Sequence, residues 1–495
     1  MANILSTISP PRYSKNKQDY SMPCDELGPI SKLPPEILEE IFALCISWCD
    51  GFQKPKNRFA WSQVCRAWRQ ISFDSGRLWQ RVNLSDPRLA AESLIRSKQA
   101  PLHITTSVPP PSTIPKDLAL YADRLQSIDV ILNTMDMAHL FVSVGQHLPM
   151  LKDLSLKISP MTSTLFLDLS LPSIRRLSLE GVTMPWERFE NLTYLSLRGH
   201  DQAFFPSLSQ LHRMLVSSPD IEFIRLECFV PPFGYDVELP PISLLRLREF
   251  VISSYPAIIQ SILSSIQFGS QTRLQLYVSL YEDLRSLFPR GPTRSPHTAS
   301  VRPMDVDTIR LSRHGVYFIQ NNSPAWNDEP SKFLLSVSSA SPTSMPVCGS
   351  LNYVVNLSSI KHLEFNVGVL LDTSKKALQS LFNELEHLES LRTAFNDLEN
   401  LLSVLGSIDE STGHLYLPRL TNLSFSKPCD IWWHFGERWI KPIMQTLKVR
   451  RDLSCALRTL ELYSCSGVSS EMLEHLRPNT AERIIVSERG RSGVH

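Results

Sequence analysis

Ile30-Ser31-Lys32-Leu33-Pro34-Pro35-Glu36-Ile37-Leu38, then Ile41-Phe42, then Val64-Cys65-Arg66-Ala67-Trp68-Arg69-Gln70-Ile71 and Leu78-Trp79, form the most specific stretch of the chain. Pro34 and Pro35 hold the residues before them out of the helical region. A proline also suits the first helical position, where its missing N–H costs nothing. Glu36 then falls in the first turn, where a carboxylate meets the positive end of the helix. Ile37, Leu38, Ile41, Phe42 and Cys45 predict one broad apolar stripe, with Glu39 and Glu40 on the other side. A second helix is predicted from an N-cap at Asn57 to Phe73, because Trp61, Val64, Cys65, Trp68 and Ile71 recur at three- and four-residue steps. Arg66 and Arg69 lie outside that stripe. A short third segment carries Leu78 and Trp79. A unit of about 55 residues buries too small a share of its surface to be comfortably stable alone. Its spare apolar face asks for a partner.

In this order the motifs resemble an F-box, over residues 30–84. The resemblance implies a helical unit that docks on a Skp-type adaptor, which joins it to a cullin scaffold in an SCF ubiquitin ligase. It also implies that Leu33, Pro34, Ile37, Leu38, Ile41, Phe42, Val64, Cys65, Trp68, Leu78 and Trp79 are F-box core or adaptor-contacting positions. Sequence does not divide core from contact. One departure stands out. The usual short, Leu-rich second helix is replaced by Cys45 to Asn57, in which Asp50-Gly51 reads as a turn and Pro55 as a breaker. The rival reading of residues 30–84 is an amphipathic helical cap on the next domain.

Outward from this stretch, residues 1–29 are polar, read as a disordered tail, and lack the apolar run of a secretory signal. No run of about 18 apolar residues predicts a membrane span. An intracellular protein is expected, cytoplasmic or nuclear. The net charge of +1 gives no global pull toward nucleic acid or anionic membrane. The nine cysteines form no Cys-x-x-Cys pair and no His/Cys zinc set, which fits reduced, small apolar residues. With 18 glycines against 36 prolines, and neither GxxxxGK nor GxGxxG, phosphate-cradling loops are not expected, and no cofactor is.

Residues 85–120 read as a connector with one short helix around Leu89, Leu94 and Ile95, a strand near Ala100–Ile104 and a stiff loop at Val108-Pro109-Pro110-Pro111. From about 121 to 490 a pattern recurs: apolar, two residues, apolar, one residue, apolar. Its instances are Leu125-Ile128-Val130, Leu151-Leu154-Leu156, Ile174-Leu177-Leu179, Leu192-Leu195-Leu197, Ile221-Ile224-Leu226 and Leu247-Phe250-Ile252. After a weaker middle come Ile360-Leu363-Phe365, Leu420-Leu423-Phe425 and Leu457-Leu460-Leu462. The last two positions of each triplet share one face of a strand. Helical returns are predicted at Ser207–Leu215 and Lys376–Leu385. Leu-Pro phrases at 148–149, 171–172 and 417–418 lead into strands. The pattern resembles the divergent leucine-rich repeats of fungal-type F-box proteins, whose stacked repeats share a continuous core and a concave binding surface. The rival is an ordinary mixed α/β domain with leucine-rich strands. Residues 265–350 break the pattern and read as an irregular insertion. Within it Val306-Ile309-Leu311 fits a further repeat strand. Gly315–Ile319 and Phe333–Val337 fit paired strands that either extend the sheet or form a separate piece. Gly291–Thr298 and Ser338–Ser344 read as loops.

The expected fold is therefore α/β: a small N-terminal helical F-box followed by an irregular leucine-rich-repeat solenoid with parallel strands. No catalytic set such as GxSxG or HExxH occurs. Asp305 and Asp307 read as a solvated pair rather than a metal site. The aromatic cluster Ile431–Phe435 with Trp439 reads as core, and Lys448-Val449-Arg450-Arg451 as a solvated basic run. The leading reading is a non-enzymatic substrate receptor of an SCF-type ligase, with a protein target and neither nucleic-acid nor membrane partner. The rivals are an interaction scaffold without a ligase role, adaptor-bound or not, and an enzyme with an unrecognised site.

Overall fold

A computed structural model describes residues 30, 33–51, 60–106, 116–160, 164–232, 239–269, 272–278, 287, 306–312, 315–319, 333–339, 351, 357–365, 374–394, 398–409, 413–426, 437–463, 470–477, 483–488 and 491–494. The chain divides into two compact units, Met1–Gln126 and Ser127–His495. Helices and strands are mixed, with the helical stretch first.

In the first unit α1 (Pro35–Gly51) starts on a proline and carries Glu36 in its first turn. The turn expected at Asp50-Gly51 is absent, because α1 continues to Gly51. Pro55 and Asn57 lie outside the described residues. The second helix expected from Asn57 to Phe73 is broken. A 3-10 turn spans Ala60–Gln63, and α2 covers only Arg66–Asp74. The break comes from Cys65, whose extended backbone (φ −152°, ψ 172°) makes it the N-cap, with Sγ accepting from the Trp68 amide at 3.5 Å. Leu78 and Trp79 sit in a second 3-10 turn, Gly76–Trp79.

The described part of the stretch read as a connector, residues 85–106 and 116–120, holds the expected helix and strand. Strand β1 (Arg81–Asn83) pairs in parallel with β2 (Leu102–Thr105), and α3 (Pro87–Arg96) lies between them in sequence. Asp86 caps α3 through the amides of Arg88 and Leu89, and Pro87 takes its first position. Gly76 shows how tightly this unit closes. A Cβ there would lie 2.6 Å from the carbonyl oxygen of Ser97. Gly76→Ala is expected to lower stability by about 1–3 kcal/mol through overpacking against backbone. Thermal unfolding checks this, and an unchanged midpoint would show that the Ser97 turn yields.

The second unit carries two short two-stranded parallel sheets, Leu165–Phe166 with Val182–Thr183 and Ile242–Leu244 with Ile266–Phe268, and one long sheet with helical returns. Its strands are β3 (Leu125–Leu132, starting just before the boundary), β4 (Asp153–Ile158), β5 (Arg176–Glu180), β6 (Tyr194–Arg198), β7 (Phe223–Glu227), β8 (Glu249–Ser254) and β9 (Arg273–Val278). These seven pair in parallel, in chain order. The order then breaks. β10 (Thr308–Ser312), β11 (Gly315–Ile319) and β12 (Phe333–Ser339) form an antiparallel meander in which β12 pairs with β9. β10 then pairs in parallel with β13 (His362–Phe365). β14 (Ser390–Ala394), β15 (Asn422–Ser426), β16 (Thr459–Tyr463) and β17 (Arg483–Glu488) follow in parallel, and β18 (Arg491–Val494) folds back antiparallel on β17. A regular solenoid of parallel strands is therefore not what the sheet shows. The middle strands extend the main sheet rather than forming a separate piece. Gly291–Thr298 and the stretch from 340 to 350 lie outside the described residues.

The apolar triplets explain the register. Leu154, Leu177, Leu195, Ile224, Phe250 and Leu274 stand in one cross-strand column, and Leu156, Leu179, Leu197, Leu226, Ile252 and Leu276 in the next. All are buried. Ile309, Leu363, Leu391, Leu423, Leu460 and Ile484 repeat the first column after the meander. Period-two alternation thus places one set of side chains in a shared core and sends the other set to the opposite face. Strands are entered by a recurrent turn: the amides of Leu151, Ile174, Leu247, Ile360, Leu388 and Leu420 donate to the carbonyl three residues earlier.

The helical returns are α4 (Thr134–Val144), α5 (Leu208–Val216), α6 (Pro256–Ser265), α7 (Lys375–Glu384), α8 (Glu399–Leu405), α9 (Glu437–Asp452) and α10 (Ser470–Leu476). The two returns expected from sequence are α5 and α7. α5 opens on a complete capping box between Ser207 and Gln210. In the run 448–451 Lys448 and Arg451 are exposed as expected, but Arg450 is buried, only 1% exposed. Ile431–Phe435 lies outside the described residues.

Candidate adaptor-binding face

The first unit divides the eleven candidate residues by burial. Leu38, Phe42, Leu78 and Trp79 are core, together with Ile46 and Trp61. Leu33, Ile41 and Trp68 pack partly against that core, and Leu89 of α3 joins them. Phe42 is the hinge of the packing. Its ring stacks on Trp61 (centroids 5.4 Å apart, planes 12° apart) and meets Trp68 at 5.1 Å. The Trp79 indole N–H donates to the Ser72 carbonyl at 2.7 Å, which satisfies the one polar atom of a buried side chain. Arg96 of α3 lies 3.9 Å from the Phe73 centroid and 5.2 Å from that of Trp79, a cation over two faces.

Cys65 is a half-buried helix cap outside the core cluster. Pro34 is exposed, Ile37 is 47% exposed and Val64 is 50% exposed. The single stripe expected on α1 is therefore two. Leu38, Phe42 and Ile46 point into the core. Ile37, Ile41 and Leu44 follow i, i+4, i+7 spacing on a second face, roughly 130° round the helix. Leu44 is 70% exposed and was not among the candidates, although its seven-residue step from Ile37 was legible. The uncovered apolar side chains Ile37 and Leu44, with half-buried Ile41 between them, make one ridge two turns long. Glu40 beside it is ion-paired to Arg77, and this hydrogen bond raises the Arg77 guanidinium above its ordinary value. Both partners are half exposed, so the pair is worth little in stability and serves to fix the rim. Glu39, between Glu40 and the core, accepts from Ser75.

The second unit presents a polar strand face. Lys157 and Glu180 are 2.9 Å apart, Arg198 and Glu227 are 3.4 Å apart, Arg225 and Glu249 are 3.7 Å apart, and Arg176 and Asp153 are 3.3 Å apart. Arg176 also lies 4.8 Å over the Tyr194 ring. Ser155, Ser178 and Ser196 stand in register between the two charged rows. Among the described residues no group of three or more His, Cys, Asp or Glu side chains could hold a metal ion. Asp305 is outside them, and the Asp307 carbonyl accepts from the amides of Lys361 and His362 at the entry to β13. Among the described residues no helix is long and apolar enough to cross a membrane.

Nothing among the curated proteins matches the chain. One family model does, over the stretch whose core and ridge are described above. Residues 30–85 match the model described as F-box-like, and they are the F-box-like domain of this chain.

Proposed function

We propose that this protein is the substrate-recognition subunit of an SCF-type ubiquitin ligase, with no chemistry of its own. The F-box-like domain docks on a Skp-type adaptor through the ridge Ile37–Ile41–Leu44, with Pro34 and Val64 as further exposed apolar positions. Through the adaptor it joins a cullin scaffold. The observation that carries this reading is an apolar ridge left uncovered on α1 inside the stretch that matches an adaptor-docking family. Leu38, Phe42, Leu78 and Trp79 hold the shape, and the exposed residues make the contact.

Residues 121–490 act as the target-binding part. Their recurring triplets, column-like register and short returns support degenerate leucine-rich repeats on both sides of the β10–β12 meander. Their polar strand face is the surface for a folded protein target. The receptor then works by proximity, holding target lysines near the activated ubiquitin carbonyl that the other subunits supply. Co-expression with a Skp-type adaptor tests the reading. A stable one-to-one complex is expected, and no association at micromolar concentration would overturn it in favour of an adaptor-independent scaffold.

A further inference from the structure

Charge on the strand face of β3–β9 is settled almost entirely within the face. Lys157, Glu180, Arg198, Glu227, Arg225 and Glu249 form one zigzag of alternating sign, with successive gaps of 2.9, 3.9, 3.4, 3.8 and 3.7 Å. Asp153 and Arg176 pair beside it at 3.3 Å. Two charges are left over. Asp129 on β3 and Arg273 on β9 are exposed, and among the described residues neither has an ion partner. Glu249, the register neighbour of Arg273, pairs with Arg225 instead.

The leftover acid and base stand at opposite ends of the face, six strand spacings or about 29 Å apart. From the acidic end a line of short hydroxyls crosses the strands. Asp129, Ser155, Ser178 and Ser196 are successive register partners on β3, β4, β5 and β6. The three serines are half-buried, and among the described residues their hydroxyls have no protein partner. Lys157, Glu180 and Arg198 flank the line on one side. On the other side stand Arg176, Tyr194 and Phe223, with Arg176 4.8 Å over the Tyr194 ring and the two aromatic rings 6.2 Å apart. The flanking rows are four residues apart along each strand, about 13 Å. An extended chain fits that width, whereas a helix about 10–12 Å across has no room once the long flanking side chains take their share.

We propose that an extended segment of the target lies across the strands from β3 to β9, with a basic residue on Asp129, an apolar residue on Tyr194 and Phe223, and an acidic residue on Arg273. Serine hydroxyls both donate and accept, so Ser155, Ser178 and Ser196 serve the segment's peptide groups. At about 3.3 Å per residue the base and the acid are about nine residues apart, with the apolar residue near the middle. The aromatic pair supplies affinity, and the two end charges fix register. This rests on the reading of the strand face as the target surface.

The probe is a displayed library of random peptides, panned on the full chain without adaptor. A selected peptide is then labelled and titrated by fluorescence anisotropy. Selected sequences should carry Lys or Arg and Asp or Glu about nine positions apart, with an apolar residue between them. Asp129→Lys should weaken the selected peptide about tenfold, and exchanging the peptide's basic residue for glutamate should restore binding. Arg273→Glu should act in the same way on the acidic residue. Both positions are exposed and unpaired, so the thermal midpoint should hold. Asp220→Asn, whose exposed pair with Arg246 lies outside the strands, is the control and should leave affinity unchanged. Selected peptides without the two charges, binding indifferent to both reversals, or no selection at all would overturn the inference. The adaptor takes no part, so these failures are distinct from a failure of the co-expression test.

Discussion

Replacing Ile37 and Leu44 together by aspartate is expected to abolish adaptor binding while leaving the fold intact. Each side chain, once covered, is worth about 1.5–3 kcal/mol in apolar burial. An aspartate in the same contact adds an unpaired buried charge. The sum is a loss of at least about 100-fold in affinity, beyond recovery at micromolar concentration. Both residues point away from the core of Leu38, Phe42, Ile46, Trp61, Leu78 and Trp79, so the thermal midpoint should barely move. Trp79→Ala would be a poor substitute. It empties a core site and orphans the Ser72 carbonyl, so lost binding would report lost structure. Co-purification and calorimetry with the adaptor check the prediction. Retained affinity in the double variant would move the docking face off α1.

Arg450→Met should destabilise the second unit by about 3 kcal/mol or more. The Arg450 side chain leaves α9 and donates to the carbonyls of Leu405 at 3.3 Å, Tyr416 at 3.0 Å and Leu417 at 2.7 Å. Leu405 ends α8, where carbonyls lack helical partners and carry the negative end of the dipole. Leu417 has a positive φ of 52°, a strained conformation for leucine that the surrounding bonds hold. Burial lowers the arginine to a pKa of about 10, so it remains a cation at neutral pH, carried by carbonyl dipoles. Thr446 assists from the previous turn of α9, donating to the Leu402 carbonyl at 3.2 Å. Methionine fills the volume but leaves these acceptors unpaired in the interior. Urea unfolding reads the loss as a lower midpoint. A midpoint within error of the parent would show that water replaces the guanidinium and that the residue is not a structural clamp.

The two features differ in how far they could be read from sequence. The apolar triplets announced their strands because burial on one face imposes period-two alternation whatever the neighbours are. Ser390–Ala394 was missed because Thr393 stands where the pattern wants an apolar residue, although it is fully buried. On α1 the helix was legible, but its stripe was not divisible. A covered face and an uncovered face are both apolar, and only the position of Trp61 and Trp79 shows which side is filled. Cys65 looked like part of a helical stripe because its extended backbone leaves no mark on residue spacing. Arg450 looked solvated because four residues with three charges suit a surface. What buries it comes from α8 and the turn at Tyr416-Leu417, more than thirty residues away.

The meander between β9 and β13 bears on how the second unit loses its structure. In stacked repeats each strand is stabilised by its neighbours in sequence, and melting spreads along the stack. Here β9 and β13 do not touch as ladder partners. Among the described residues they are linked in the sheet through β12, β11 and β10, and the pairing of Leu274 with Leu335 closes a long loop whose entropy must be recovered before the sheet is continuous. The seven parallel strands before the meander and the five after it are thus joined through three intervening strands rather than directly. Fraying of the C-terminal strands β17 and β18 leaves the β9–β12 ladder unbroken, so strands β5–β9 can persist without them.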